Sequence, residues 1–160
     1  MLTAYLLIGG NLDDRFQNLQ HAIELIEEQC GDIIAISSIY ETAAWGNINQ
    51  PSFLNQVIVL HTEFTPEELM TCLLDIEEKL GRIRKEKLGP RTIDIDILLI
   101  DDLIVKTYNL TVPHPSLHLR RFALIPLAEV AATIVHPLMK RTIAELLTDC
   151  PDSLPVTKIS

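Results

Sequence analysis

Gly89-Pro90-Arg91-Thr92-Ile93-Asp94-Ile95-Asp96-Ile97-Leu98-Leu99 alternates apolar and polar residues from Ile93 to Ile97, then runs into Leu98, Leu99 and Ile100. That is the two-residue period of a half-buried β-strand. Side chains two apart in a strand share a face. The pattern therefore sends Ile93, Ile95 and Ile97 into a core. It turns Asp94 and Asp96 out together, roughly 6.5–7 Å apart at about 3.3 Å per residue. Like charges so placed repel, and strands are poor in Asp. A divalent cation between them removes that penalty, and Mg²⁺ sites use one or two carboxylates plus substrate phosphates. Taken alone, Asp-x-Asp is equally compatible with two solvated carboxylates on an exposed sheet face.

The residues just before the strand tip the balance. Arg82, Arg84, Lys85, Lys87 and Arg91 fall within ten residues, in a chain with only 13 Lys plus Arg and a formal charge of −9. Arginine forks grip phosphate oxygens in a bidentate way. A basic segment leading into paired carboxylates suits a metal–polyphosphate complex, against the plainer reading of a solvated loop with surface ion pairs. The acidic balance argues against sequence-independent nucleic-acid binding, which needs a basic face.

Outward from this segment, 160 residues suit a single domain with its own core. No apolar run is long enough for a membrane span, and the start Met1-Leu2-Thr3-Ala4-Tyr5 lacks the basic opening of a signal peptide. Cys30, Cys72 and Cys150 are scattered and odd in number, which fits a reducing cytosol rather than a disulfide framework. Residues 3–8 read as a buried strand ending in a turn at Gly9-Gly10. Asp14–Glu28 reads as a helix with Phe16, Leu19, Ile23 and Ile26 on one face, stopped by Gly31. Asp32–Tyr40 and Phe53–His61 read as strands. Thr65-Pro66-Glu67-Glu68 carries a cap, a first-position proline and a capping box, and opens a helix with Leu69, Leu73, Ile76 and Leu80 on its apolar stripe. Beyond the Asp-x-Asp strand come a short hairpin, a strand at Leu110–Val112, and short helices over Leu117–Glu129, broken at Pro126, and Thr142–Thr148. The last ten residues read as loose. The predicted order is an α+β, ferredoxin-like β-α-β-β-α-β core. In it an antiparallel sheet carries helices packed on one face, with C-terminal additions.

Several segments together resemble the 6-hydroxymethyl-7,8-dihydropterin pyrophosphokinases of folate biosynthesis. They are Ile8-Gly9-Gly10-Asn11-Leu12, Phe53-Leu54-Asn55, Gly81-Arg82-Ile83-Arg84, the Gly89–Leu98 stretch, Val112-Pro113-His114-Pro115, Arg120-Arg121-Phe122-Ala123-Leu124 and Pro126-Leu127. The resemblance runs from Ala4 to about Pro137. It implies transfer of the β,γ-pyrophosphoryl group of ATP to the pterin hydroxymethyl oxygen, with release of AMP. It implies two Mg²⁺ ions on Asp94 and Asp96, and catalytic roles for both aspartates and for Arg82 and Arg91. On the ATP side it implies Glu77, Arg84, Lys85, Ile97, Thr111, His114 and Arg120. On the pterin side it implies Phe53 and Phe122 as stacking faces, Asn55 and Thr42 as hydrogen-bonding groups, and Ala44 and Trp45 beside them.

A solitary histidine such as His114 is more often structural, and either Phe is also ordinary core. Leu88 stands where some relatives carry Trp, Ala43 and Ala44 where some carry proline, and Asn109 where some carry arginine. Residues 43–51 and 82–91 read as lids over the site. The expected partners are the two small-molecule substrates alone, with no nucleic acid and no membrane, for a cytoplasmic monomer. Two other readings use the same residues: a metal-dependent nucleotide hydrolase or nucleotidyl transferase without a pterin pocket, and a non-catalytic ligand-sensing module.

Overall fold

A computed structural model describes residues 1–43, 51–81 and 92–160. Arg82, Arg84, Lys85, Leu88, Arg91, Ala44 and Trp45 lie outside the described residues, as does nearly all of both predicted lids. The chain forms β1 (Leu2–Gly10), α1 (Arg15–Gln29), β2 (Asp32–Ile36), β3 (Tyr40–Thr42), β4 (Phe53–Thr62), α2 (Pro66–Lys79) and β5 (Asp94–Ile100). It continues through β6 (Val105–Lys106), β7 (Thr111–Val112), a 3₁₀ turn (Leu117–Leu119), α3 (Arg121–Ala131), α4 (Ile143–Thr148) and β8 (Val156–Lys158).

The main sheet runs β5-β1-β4-β3-β8, with β2 also against β4, and every pairing is antiparallel. Two β-α-β units interleave, each with a strand of the other between its own two, which is the predicted ferredoxin-like core. The helix starts follow their sequence signals. Thr65 accepts from the Glu68 N–H at 3.2 Å and Glu68 returns a bond to the Thr65 N–H at 2.9 Å, a complete capping box. Asp14 caps α1. Gly31 ends it at φ +154, where a Cβ would run into the His61 carbonyl oxygen.

One sheet face packs Ala4, Leu6, Ile8, Ile93, Ile95 and Ile97 against Leu19, Ala22 and Ile26 of α1 and Leu69, Leu73 and Ile76 of α2. The expected helical cover is therefore present, although Phe16 is half exposed and Ala22 takes its place on the buried stripe. The other face is not bare. Tyr5, Leu7, Val57, Val59, Leu98 and Leu99 pack under Leu117, Ala123, Leu124, Leu127, Ile143 and Leu146. The C-terminal additions thus form a second layer, and the expectation of helices on one face only is corrected. The β1–β5 register slips between Tyr5 and Leu6, so Leu98 and Leu99 both join this second core. This accounts for the sequence alternation giving way to an unbroken apolar run there.

Four boundaries differ from the sequence reading. The strand expected over 32–40 is two strands, because Ser37 Oγ accepts the Val57 N–H at 2.9 Å and interrupts the ladder. α3 runs straight through Pro126, held by buried neighbours on both sides. Gly9 and Gly10 lie inside β1 rather than in a turn. The tail forms β8 on the edge of β3.

Candidate functional site

β5 carries Asp94 and Asp96 on the face opposite Ile95 and Ile97, both half-buried. Asp94 stands opposite Gly9 of β1, and Gly9 stands opposite Asn55 of β4. Residues facing each other across antiparallel strands share a sheet face. Asp94, Gly9 and Asn55 therefore form one row, with the outer two about 10 Å apart over two strand spacings. Between them the floor has no side chain. A Cβ on Gly9 would fall against Asn55 Oδ1 and 2.7 Å from the Leu54 carbonyl oxygen. Glycine is what lets the Asn55 amide lie across β1 toward the aspartates. Asp96, one step along, stands opposite Leu7, where the second core begins.

The far wall is the start of α3. Arg120 places its guanidinium over the Phe122 ring, 5.8 Å from the centroid, a cation–π distance. Phe122 also packs against the second core. His114 joins this group: its backbone N–H donates to the Leu98 carbonyl at 2.9 Å, tying the Pro113-His114-Pro115 segment to β5. Burial first, then the Arg120 charge, push the imidazole pKa down to about 4, against an opposing pull from Asp94. His114 Nδ1 accepts the Ser116 N–H at 3.1 Å. The neutral ring therefore carries its proton on Nε2, as a donor.

A pH prediction follows from this environment. The folded pKa lies below the unfolded value near 6.5, so the unfolded chain binds more protons between about 4 and 6.5. The contribution of neutral His114 to stability is complete above pH 6.5 and is lost as pH falls toward 4. An NMR titration of the His114 ring protons should give a midpoint below 5, whereas a midpoint near 6.5 would contradict this environment.

Glu77 is buried on α2, and its Oε2 accepts the Ile95 N–H at 2.6 Å. It thereby holds the β5 backbone between the two aspartates. The Ile97 side chain belongs to the first core, facing away from the aspartates. Thr111 is exposed on β7, opposite Lys106. Thr42 stands opposite Phe53, and its hydroxyl donates to the Pro155 carbonyl at 3.0 Å.

Three residues near the site carried no readable role in the sequence. Asn11 Nδ2 donates to the Pro51 carbonyl at 3.0 Å. Arg15 donates to Glu41 at 2.7 Å and to the Ser52 carbonyl at 3.0 Å. These bonds fix the chain just before Phe53. The third is Asp152, in the tail. Their partners are distant in the chain, so even the motif that contains Asn11 gives it no role.

The comparisons with known proteins fall on this same part of the molecule. A model of the family described as 7,8-dihydro-6-hydroxymethylpterin-pyrophosphokinase (HPPK) matches residues 5–132. The chain belongs to this family. The HPPK match takes in β1 from Tyr5 onward, β4, β5, the His114 segment and all of α3, which are the elements that carry the row and its far wall. A relative from Aquifex aeolicus, named 2-amino-4-hydroxy-6-hydroxymethyldihydropteridine pyrophosphokinase, is 42% identical over 91% of this chain and 90% of its own length. One of the same name from Synechocystis is 40% identical over 93% of this chain and 77% of its own. Among solved structures, a Plasmodium falciparum HPPK-DHPS aligns with a TM-score of 0.75 at 19% identity, over 92% of this chain and 43% of that one. That likeness supports the HPPK fold and stops there.

Proposed function

We infer that this protein is an ATP-dependent pyrophosphokinase of tetrahydrofolate biosynthesis. It transfers pyrophosphate from ATP to the hydroxymethyl group of 6-hydroxymethyl-7,8-dihydropterin, giving the pterin diphosphate and AMP. The hydroxymethyl oxygen bonds to the β-phosphorus and releases its proton to solvent, the bond from that phosphorus to the α,β-bridging oxygen breaks, and AMP leaves on that oxygen. The observation that carries this reading is the Asp94–Gly9–Asn55 row. It sets an amide suited to a heterocycle edge about two strand spacings from paired carboxylates.

Asp94 and Asp96 offer hard oxygens on one face, half open to solvent. Paired carboxylates suit Mg²⁺, which takes one or two of them and completes its shell with phosphates and water. The two aspartates would hold two such ions. When bound, Mg²⁺ supplies charge neutralisation for the triphosphate and for the departing AMP. His114 donates from Nε2 to a phosphate oxygen, and Arg120 lends charge beside it. Phe122 and Phe53 take the faces of the pterin, while Asn55 and Thr42 read its edge. Glu77 keeps β5 straight beneath the carboxylates, and Thr111 and Ile97 border the nucleotide. Arg82, Arg84, Lys85 and Arg91 complete the phosphate grip, and Ala44 and Trp45 the pterin side, on the strength of their motifs alone.

Packing of the C-terminal elements onto the same sheet supports one pyrophosphokinase domain over residues 1–160, and a monomeric state is part of this reading. No helix among the described residues is long and apolar enough to cross a membrane, and a cytoplasmic location is part of this reading.

Mixing protein, ATP, Mg²⁺ and the hydroxymethyl dihydropterin should yield AMP and pterin diphosphate in equal amounts. No AMP should form without the pterin. AMP formed regardless of the pterin would favour a hydrolase, and none at all a ligand-sensing module.

A further inference from the structure

We propose that the C-terminal tail, residues 152–160, is a clasp that positions the two walls of the pterin pocket. The proposal rests on the pocket assignment just given, and it concerns residues beyond the 5–132 family match.

At one wall, Asp152 Oδ2 accepts the Arg121 N–H at 3.0 Å. That N–H opens α3, whose start has no side-chain cap of its own. A carboxylate there satisfies an orphan donor and meets the positive end of the helix dipole. It fixes the turn from which Phe122 projects. The other Asp152 oxygen accepts the Leu154 N–H at 3.0 Å, so the carboxylate also sets the direction in which the tail leaves. At the opposite wall, the Pro155 carbonyl accepts the Thr42 hydroxyl at 3.0 Å. β8 then pairs along β3, with Val156 opposite Thr42 and Lys158 opposite Tyr40. Ile159 donates to the Ile39 carbonyl at 2.9 Å, and Ile39 donates to the Ser160 carbonyl at 3.2 Å.

The loop closes on itself away from the tail. The Tyr40 hydroxyl donates to Glu129 Oε1 of α3 at 2.5 Å. Ser38 gives Glu129 Oε2 its backbone N–H at 2.8 Å and its hydroxyl at 3.2 Å. β3 and α3 are therefore joined at two places, by Glu129 and by the tail. The tail is the join nearer Thr42 and Phe122.

The clasp also decides what Thr42 can offer. A carbonyl only accepts, so the single hydroxyl proton of Thr42 is committed to Pro155. Toward the pocket Thr42 presents lone pairs alone. It can accept an N–H from a heterocycle edge and cannot donate to a ring nitrogen. With Thr42 only 5% exposed, its hydroxyl has little freedom to reorient.

The test measures KM for the pterin at saturating ATP, KM for ATP, kcat and Tm. The variants are a chain ended at Leu154 and Asp152→Ala in the full chain. Each should raise the pterin KM about five- to tenfold, the scale of losing one or two net hydrogen bonds. The ATP KM should rise less than the pterin KM, because only Arg120 of the ATP-side residues adjoins the clasp. Asp152→Asn, which keeps one acceptor oxygen, should recover part of the loss. If the shortened chain does not fold, the Asp152 pair decides. Unchanged pterin KM in a folded variant overturns the clasp and leaves the function standing, because the wild type still makes AMP from the pterin. So does an equal shift of both KM values, which marks a merely structural tail. A wild type that makes no AMP from the pterin overturns the functional reading and the clasp with it.

Discussion

Asp96→Ala should lose about a thousandfold in kcat, the upper range for removing one electrostatic contact to a reacting group. The protein should remain folded. Asp96 lies on the half-open face of β5, while its neighbours Ile95 and Ile97 fill the core on the other side. Removing its carboxylate opens no cavity. It also relieves repulsion with Asp94, two residues along the same face. A cooperative thermal transition should therefore persist. Asp94→Ala should behave in the same way, with one difference. Asp94 also pulls the His114 pKa upward, so its loss should lower that pKa further. Release of AMP in a quenched assay and a thermal melt give both readouts. A variant with near wild-type turnover would remove the metal assignment, and one that unfolds would contradict the expectation that the fold survives without this carboxylate.

Gly9→Ala should cost stability and pterin affinity together. The new methyl meets Asn55 Oδ1 and lies 2.7 Å from the Leu54 carbonyl oxygen. The second contact is backbone in the central pair of the sheet, which has no soft direction in which to move. Overpacking of this kind costs about 1–3 kcal/mol. To relieve the first contact, the Asn55 amide must leave the row. The pterin KM should then rise at least about tenfold, as when a site that hydrogen-bonds its substrate loses the donor or acceptor. ATP affinity should change far less, because His114 and Arg120 lie across the row. Denaturant titration and paired KM measurements test this. An unchanged pterin KM in a destabilised Gly9→Ala would mean that Gly9 serves only the packing of β1 on β4.

The elements that could be read from sequence were those whose signal is local. β5 announces itself by alternation, and α2 by a cap, a proline and a glutamate at fixed offsets. The tail carries no such mark. Pro155-Val156-Thr157-Lys158 has no buried face of its own, and it is a strand only because β3 offers an open edge. The break between β2 and β3 depends on one hydroxyl, Ser37, finding a backbone N–H far along the chain. Pro126 reads as a helix breaker, yet buried residues to either side hold α3 together through it.

The site divides in the same way. Asp94 and Asp96 follow from strand period, and His114, Arg120, Phe122 and Asn55 from motifs that resemble a family. The structure gathers Asp94, His114, Arg120 and Phe122, Asp96 stands one step along β5, and Asn55 reaches Asp94 only through Gly9. Sequence alone made Gly9 a turn residue, since its real constraint comes from an amide on another strand. Thr42 was legible as a polar pocket residue, but the direction of its hydroxyl is set by Pro155.

The most direct measurement is a crystal structure with Mg²⁺ and a nonhydrolysable ATP analogue. It should show metal density bridging the Asp94 and Asp96 carboxylates to the phosphate chain, with the His114 imidazole on a phosphate oxygen. The nucleotide bound elsewhere, or both carboxylates bare of metal with the analogue in place, would contradict the account.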